Sequence, residues 1–249
     1  MTLLPSLIGM KEVYAVENTS TSPILSHLEE MRTRLIIVGI SFLLCFALSF
    51  AVVGDIYSFL IRDLEDELAI LGPGDIIWIY MALSAVIAII PMIPLGAYQV
   101  WSFVAPGLTR EEKRSTLSYI PLFFFLFIAG LSIGFFIIFP LIMDFLLGLA
   151  DSRFQTLFTV DRYFRFMFRT VIPIAFLFEL PAVVMFATQL GLIHSRQLQR
   201  YRKYAYFVLI AMAVLVTPPD FITPLLVCIP LFLLYEASVF FAKLIERKN

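Results

Sequence analysis

The sequence predicts an all-α integral membrane protein with six transmembrane helices, both termini in the cytoplasm and two short final spans. Three observations support this fold class. The 249 residues are 61% hydrophobic, with a mean hydropathy of +0.94, which is more apolar surface than a soluble domain of this size covers. Only 15% of the residues are charged. Those charges lie between long uncharged segments, and Lys and Arg favour alternate loops.

Four long apolar segments predict the first four spans, because about 20 apolar residues cross the roughly 30 Å of hydrocarbon in a bilayer. These spans lie within residues 35–53, 76–104, 115–143 and 164–190. After the first span, residues 55–75 are polar and amphipathic and predict a short helix that ends at the Gly-Pro-Gly sequence 72–74. Residues 109–114 predict a tight charged loop, and residues 144–163 predict a second polar connection.

The last two spans are predicted to be short. Residues 204–216 provide 13 residues, or about 20 Å of helix, before a tight turn at 217–220. The returning segment contains Pro224, Pro230 and Glu236, which predict breaks in the last span. We therefore expect two short helices beside longer ones, an arrangement that thins the bilayer locally or tilts the neighbouring helices.

The distribution of basic residues predicts the orientation, since cytoplasmic loops carry an excess of Lys and Arg. Of 18 basic residues, 13 fall on one predicted side: Lys11, Arg32, Arg34, Arg110, Lys113, Arg114, Arg196, Arg200, Arg202, Lys203, Lys243, Arg247 and Lys248. The other side has an acidic first loop and holds Arg62, Arg153 and Arg162. Arg165 and Arg169 open the fourth span and are interpreted as snorkelling side chains. Both termini are therefore predicted to be cytoplasmic.

The predicted organisation is a single membrane domain between two tails. We expect a cytoplasmic tail at residues 1–26, a six-span domain at 27–243 and a second tail at 244–249. The first 26 residues lack a basic region followed by an early apolar stretch, so no cleavable signal peptide is expected. Cys45 and Cys228 lie inside apolar segments, which favours buried thiols over a disulfide. The net charge of −1 gives no indication of a nucleic-acid partner.

No enzyme active site is predicted. The G-x-S-x-G pattern at residues 130–134 matches a hydrolase nucleophile motif, but it lies within a span, and His27 and His194 lie outside the spans. Close helix packing through Gly130 and Gly134 is the favoured interpretation. The sequence contains no H-E-x-x-H motif, no Cys/His cluster with zinc spacing and no phosphate-binding loop, so no metal or other cofactor is expected.

The segment before the first span combines two acids with two arginines. Ser26 and Glu29 have capping-box spacing, while Glu30 and Arg34 stand four residues apart and can pair on one helix. A helix cap needs one carboxylate, so a binding role for the second acid stays open. The charged segment 109–114 likewise fits either a solvated turn or part of a binding surface.

Glu179 lies ten residues inside Arg169, which is about 15 Å along a helix and near the centre of the bilayer. A charged side chain at that depth costs roughly 2.5–3.5 kcal/mol on insertion scales, so Glu179 is expected to be protonated or hydrogen-bonded. Acids at this depth are typically functional. The polar turn at 217–220, in contrast, is explained by a tight hairpin between short spans.

Five motifs, taken in order, resemble those of one protein family. They are HLEEMRTRL, AYQVWSFVAPGLTREEKR, LSIGFFIIFPL, FLFELP, and LVTPPDF with IPLFLLYE. Over about residues 23–243 the chain is similar to the TatC family, the signal-peptide receptor of the twin-arginine protein translocase. DIYSFLIRDLEDELAILGP and FTVDRYFRF are most similar to the Gram-positive branch of that family.

The resemblance implies a function in the bacterial cytoplasmic membrane. Family members bind the Arg-Arg signal peptides of folded proteins at the cytoplasmic face and nucleate a translocase driven by the proton-motive force. By resemblance, Glu30 and Glu112 receive the two signal arginines, and a carboxylate accepts the planar fork of a guanidinium bidentately. Arg32, Pro94 and Phe103 also match functional positions of the family.

The resemblance also implies protein partners within the membrane. Glu179 matches the intramembrane acid at which small single-span subunits of the TatA/TatB type dock, and Asp220 matches the acid of the outer hairpin. Association with further copies of the chain is implied as well. The sequence departs from the family at Asp63, where a proline is common, so no role of that proline carries over.

Two alternatives stay open from the sequence. Glu29 and Glu111 stand beside the matched acids, so either residue could share the binding of the signal arginines. The rival function is a proton-coupled secondary transporter of a small solute, with Glu179 as the coupling acid. That function predicts inverted repeats and several polar groups at the midplane, whereas the sequence has one clear acid there and no repeat.

Overall fold

The computed structural model describes residues 23–62, 68–150, 157–218, 220 and 222–247. These residues form helices almost throughout. The helices are α1 Pro23–Ser49, α2 Val53–Ile61, α3 Pro73–Val104, α4 Arg110–Leu117, α5 Ile120–Ile133, α6 Phe139–Ala150, α7 Val160–Leu177, α8 Leu180–Gln189, α9 Ser195–Arg200, α10 Arg202–Val216 and α11 Ile222–Glu246. A 3-10 turn at Ala105–Gly107 follows α3, and a π-helical turn at Gly134–Ile138 joins α5 to α6.

The predicted all-α membrane class is confirmed. Within the described residues, five helical segments are long and apolar enough to cross a membrane. They are Glu29–Ser49, Pro73–Gly107, Arg110–Leu149, Val160–Gln189 and Ile222–Glu246. Helix α10 has 15 residues, or about 22 Å, and is short as predicted.

The expectation that the last span is also short is wrong. Helix α11 runs for 25 residues, about 37 Å, without a break. Pro224 lies in its first turn, where backbone N–H groups have no intrahelical partner to lose. Pro230 is accommodated inside the helix. Glu236 is bound from α10 by Arg202 Nη2 at 2.7 Å and Tyr206 Oη at 2.5 Å, so this acid does not end the helix.

Two predicted connections also differ in the structure. The short helix of the first connection, α2, ends at Ile61, and the Gly-Pro-Gly sequence begins α3 rather than ending α2. Asp75 Oδ2 accepts the backbone N–H groups of Leu71 and Gly72, each at 3.1 Å, which caps the start of α3. The charged segment 109–114 opens helix α4 instead of forming only a turn. The acidic residues 63–67 and the tail residues 1–22 lie outside the described residues.

Contacts between distant helices define one end of the bundle, which we call the basic end. It holds α4, α9 and the carboxyl ends of α3, α8 and α11. Tyr119 donates to Gln189 at 3.5 Å, and Ser195 donates through its backbone N–H to Glu246 Oε1 at 2.7 Å. At the far end, Ala69 exchanges two backbone hydrogen bonds with the chain around Thr159. The basic end therefore gathers most of the described residues that the sequence placed on the basic side.

The core of the bundle lies between the long helices. One cluster of buried side chains joins α7, α10 and α11 around Ile174, Leu209 and Leu231. A second cluster joins α2, α3 and α7 around Phe164. Helix α11 also packs along α8, whereas α1 packs against α3 and is largely exposed along its length from Glu29. The bundle thus presents α1 as a peripheral helix at the side of α3.

The predicted packing role of the G-x-S-x-G pattern is confirmed. A Cβ atom on Gly130 would lie 2.7 Å from both Ala175 Cα and Phe178 Cβ. A Cβ atom on Gly134 would lie 3.1 Å from a methyl of Val171. Both glycines therefore allow α5 and the π-helical turn to approach α7 closely.

We predict that Gly130→Ala destabilises the protein by about 1–3 kcal/mol, because the added methyl overlaps backbone and side-chain atoms of α7. Gly39→Ala is the matched control, since a Cβ on Gly39 meets nothing within 4 Å. Thermal unfolding of the two purified variants in detergent measures the difference. A melting midpoint for Gly130→Ala at or above that of Gly39→Ala would contradict the close packing.

Candidate functional site

Glu30 lies on α1 and is engaged by an arginine of its own helix. Arg34 donates to Glu30 Oε1 from Nη2 at 2.5 Å and from Nε at 3.2 Å. The guanidinium also donates from Nη1 to Gln99 Oε1 at 3.2 Å, which ties α1 to α3. The pairing that the four-residue spacing allowed is therefore formed. The Glu30 side chain remains 37% exposed, so a ligand can still reach the carboxylate.

The other residues predicted for signal binding line the neighbouring helices. Arg32 is exposed on α1, while Pro94 and Phe103 are half-buried on α3. The carboxyl end of α3 is fixed by Trp101, whose Nε1 donates to Thr116 Oγ1 on α4 at 2.9 Å. Helices α1 and α4 therefore both contact this end of α3, and Pro94 lies five residues before Gln99, which links α3 to Arg34 of α1.

Glu112 stands at the start of α4 and forms a capping box with Thr109. Its Oε2 accepts the backbone N–H and the hydroxyl of Thr109, both at 2.8 Å. Thr109 Oγ1 in turn accepts the backbone N–H of Glu112 at 3.3 Å. These contacts use one carboxyl oxygen and fix the side chain. Glu111, the next residue back, is exposed and has no part in this capping box.

Glu112 also lines a polar cavity of about 540 Å³ at the basic end. The cavity lies between α4, the carboxyl end of α8, α9 and the carboxyl end of α11, and its charged or titratable lining residues are Glu112, His194, Arg196 and Glu246. Glu246 accepts both the backbone N–H and the hydroxyl of Ser195. The cavity is thus wide enough for a guanidinium and has carboxylates on two sides.

Sequence reasoning did not find Glu246 as part of this site. It stands 51 positions from Ser195, so local patterns give no indication that the two residues meet. The one available signal was an isolated acid within the basic segment 243–248. His194 and Arg196 were predicted only as surface residues of the basic side.

Glu179 lies in the break between α7 and α8 and is 7% exposed. Both of its carboxyl oxygens are buried and have no hydrogen-bond partner within the described part of the chain. The side chain lines a cavity of about 280 Å³ between α3, α5 and α8. The other lining residues are Ile93, Ala97, Val100, Ile120, Phe123, Val183 and Phe186, all of them apolar. A carboxyl group in such a place needs a hydrogen-bonding group from elsewhere.

Asp220 caps the start of α11. Its two carboxyl oxygens accept the backbone N–H and the hydroxyl of Thr223, both at 2.6 Å. Burial disfavours the charged form, but the hydrogen bonds from Thr223 and from the backbone of Ile222 together outweigh it, so the pKa of Asp220 lies below its usual range. The capping contribution is therefore present at neutral pH and is lost as the pH falls through that lowered pKa. A structural role accounts for Asp220 in this geometry.

Comparison with known proteins identifies relatives over nearly the whole chain. The family model described as Sec-independent protein translocase protein (TatC) matches residues 26–230. The chain is 49% identical over 226 residues to the Sec-independent protein translocase protein TatCd of Bacillus subtilis, covering 91% of this chain and 93% of the relative. It is 34% identical to TatC of Aquifex aeolicus over 91% of this chain and 97% of the relative.

A solved structure shares the fold. The crystal structure of a twin-arginine translocase receptor, TatC, superimposes with a TM-score of 0.76 and 32% identity, covering 88% of this chain and 99% of that chain. The family model, the relatives and the solved structure agree with the five ordered motifs and with the apolar helices of the bundle. The chain therefore belongs to the TatC family of Sec-independent protein translocase components, multi-pass proteins of the bacterial cytoplasmic membrane.

Proposed function

We propose that this translocase component is the receptor that binds twin-arginine signal peptides at its basic end. The observation that carries the proposal is the setting of Glu112. One of its oxygens is held by Thr109, while the residue lines a polar cavity of about 540 Å³. A carboxylate that is already oriented loses little entropy when it binds a ligand. A signal arginine supplies the planar fork of N–H donors that such a carboxylate accepts.

Glu30 provides the second acid of the proposed receptor. The Arg34 guanidinium already rests on Glu30 Oε1, which demonstrates that this carboxylate accepts an arginine in its present position. A signal arginine would replace Arg34 or share the carboxylate with it. Arg34 keeps an alternative acceptor in Gln99, so displacement does not leave its charge without a partner.

The proposed receptor crosses the membrane six times with both termini in the cytoplasm. Besides the five long apolar segments, the remaining span is α10, the fifth in chain order, whose 15 residues cross if the bilayer is locally thin. The asymmetry of Lys and Arg supports this orientation and assigns the basic end to the cytoplasm. Residues 1–26 and 244–249 are then cytoplasmic tails around the domain 27–243, and α11 continues into the second tail as far as Glu246.

We further propose that Glu179 receives a single-span partner subunit of the TatA/TatB type. Its cavity opens between three helices, is apolar apart from the carboxyl group and leaves both carboxyl oxygens without a partner among the described residues. A partner helix with one polar side chain would satisfy the carboxyl group and fill the apolar surface. The transporter alternative has no support in the comparisons, which match protein translocase components.

For topology, we predict that single cysteines at Arg110, Gln199 and Lys248 react with a membrane-impermeant thiol reagent only from the cytoplasm. A cysteine at Asp66 should react only from outside. The reason is the excess of Lys and Arg on one side of the predicted spans. The native Cys45 and Cys228 are replaced by alanine in the parent. Five predicted spans, an odd number, separate Asp66 from Lys248, so labelling of both positions from the same side would contradict the six-span topology.

For signal recognition, we predict that Glu112→Gln and Glu30→Gln each weaken binding of an Arg-Arg signal peptide by about ten-fold and reduce export. Glutamine keeps the acceptor for Thr109 but removes the charge that strengthens a hydrogen bond to a guanidinium. Photocrosslinking of a signal peptide to the membrane-inserted protein measures binding.

Glu111→Gln is the matched control for this test, because Glu111 is exposed and adjacent on the same helix. It should leave crosslinking within about two-fold of the parent. An equal loss of signal-peptide crosslinking in Glu111→Gln and Glu112→Gln would show that the effect comes from general surface charge. Unchanged crosslinking in both Glu30→Gln and Glu112→Gln would refute the proposed receptor site.

For partner docking, we predict that Glu179→Leu loses crosslinking to a single-span partner helix, while Glu179→Gln retains it. Glutamine keeps donors and acceptors at this position, and an intramembrane hydrogen bond is worth about 0.6–2 kcal/mol. Both variants should still bind signal peptide at the basic end. Thr170→Val is the control. Thr170 lies on α7, its hydroxyl is buried and has no hydrogen-bond partner among the described residues, and it does not line this cavity.

The same variants separate docking from proton coupling. A proton-coupled role requires a group that releases its proton, so it predicts that Glu179→Gln is as damaging as Glu179→Leu. Loss of partner crosslinking and export in Glu179→Gln would therefore contradict docking through hydrogen bonding. Retention of both in Glu179→Leu would show that the carboxyl group is not part of the interface.

A further inference from the structure

Helix α7 carries three arginines on one face at the end of the bundle away from the basic end. Arg162, Arg165 and Arg169 follow the spacing i, i+3 and i+7, and all three side chains are exposed. We call these residues the arginine face. The receptor site described above does not use them, and basic residues are scarce at this end of the bundle.

The arginine face reaches the depth at which a bilayer surface must lie. About 20 residues separate Arg169 from Gln189, so α7 and α8 cross about 30 Å between these two positions. Arg169 Nη2 donates to the carbonyl of Leu215 at 3.1 Å, which places the carboxyl end of α10 at the same level. From Arg202 to Leu215, α10 spans only about 20 Å. Lipid headgroups beside α10 must therefore descend to Arg169.

Most donors of the arginine face are not used within the described residues. A guanidinium has five N–H donors, and Arg169 has one recorded hydrogen bond, to Leu215. Arg162 donates its backbone N–H to Thr159 Oγ1, and this bond does not use its guanidinium. Arg165 is better satisfied, since its Nε donates to Asp161 at 2.8 Å and its guanidinium lies 4.1 Å from the Trp78 ring centroid. Two of the three guanidinium groups therefore have donors for an external acceptor.

An apolar groove begins at the arginine face. It has a volume of about 420 Å³ and lies between α6, the start of α7 and Pro218 of the hairpin. Arg162 stands at its edge, and Leu146, Leu147 and Phe166 are among the residues that line it. Phe166 shares the face of α7 that carries the arginines. A cation beside an apolar groove at the membrane surface matches a molecule with an anionic head and a hydrocarbon tail.

We propose that the arginine face and this groove bind one anionic phospholipid, with its phosphate on Arg162 and Arg169 and an acyl chain in the groove. The planar guanidinium matches two phosphate oxygens, and Arg is the residue that recognises phosphate in this bidentate manner. A soluble anion would satisfy the arginines but leave the groove empty. The phosphate of the bound lipid neutralises the positive charge of the arginines, which lie on the membrane side where Lys and Arg are otherwise disfavoured. The acyl chain fills the space beside the short helix α10.

The two tryptophans of the chain provide a local test. Trp78 lies against Arg165, whereas Trp101 lies at the basic end, where it donates to Thr116. In a Trp101→Phe parent, the fluorescence of Trp78 reports lipid at the arginine face. The full-length protein is reconstituted in vesicles of dioleoylphosphatidylcholine with brominated phosphatidylglycerol or brominated phosphatidylcholine. Because each basic residue near the membrane favours anionic lipid about five-fold, we expect at least a five-fold preference for brominated phosphatidylglycerol in quenching.

The decisive variant is Arg162→Gln with Arg169→Gln, in which the preference of Trp78 for phosphatidylglycerol should fall to about one-fold. Glutamine at 169 keeps a donor for Leu215, which protects the end of α10. In a Trp78→Phe background, Trp101 should show the same lipid preference with and without the two substitutions. This control separates a local site from a general change in surface charge, and Arg162→Gln alone serves if the double variant fails to fold.

Three outcomes would overturn the proposal. The parent shows no preference at Trp78, or the double variant keeps the parent's preference, or 50 mM inorganic phosphate abolishes the preference in the parent. The last result would identify a site for free phosphate rather than for a phospholipid. An unchanged preference with phosphate present, together with its loss in the double variant, supports the lipid site.

Discussion

The cost of placing charge in hydrocarbon controls this structure. Long uncharged helices cross the membrane, and most charged side chains of the described residues gather at the two ends of the bundle. The ion pairs also lie at the ends of the bundle: those of Glu30 with Arg34 and of Arg202 with Glu236 lie near the basic end, and that of Asp161 with Arg165 lies at the opposite end. Glu179 departs from this rule, because it is 7% exposed and its carboxyl oxygens lack a described partner. Burying a carboxyl group without a hydrogen-bond partner costs free energy, and the proposed partner helix would supply that hydrogen bond.

The surroundings of Glu179 show how the fold holds this costly group in place. The helix breaks between α7 and α8, with Glu179 at the break and Pro181 in the first turn of α8. Phe178, the preceding residue, packs directly against Gly130. Any residue other than glycine at position 130 would place its Cβ atom 2.7 Å from Phe178 Cβ. The break is therefore fixed from the α5 side by close packing. The carboxyl group is fixed with it and faces the apolar cavity beside α3.

Sequence reasoning was accurate where local rules decide the outcome and failed where distant residues meet. The positions of five long apolar helices and the Glu30–Arg34 pair follow from hydropathy and helical spacing, and both are observed in the described part of the chain. The continuous helix α11 was missed because prolines were treated as breaks, although Pro224 lies in a first turn. The polar cavity was missed because Glu246 meets Ser195 across 51 positions. Periodicity carries no information about such contacts.

Helix α3 connects the two proposed sites physically. Gln99 accepts Arg34, and through Arg34 it is linked to the carboxylate of Glu30. Val100, the next residue, lines the cavity of Glu179 one turn beyond Ala97. In the proposed function, a signal arginine that takes the place of Arg34 on Glu30 would leave the Arg34 guanidinium with Gln99. Gln99 belongs to the helix that forms one wall of the proposed partner cavity. The proposed recognition at the basic end and the proposed docking within the membrane would thus share helix α3, and packing along this helix would relate the two events.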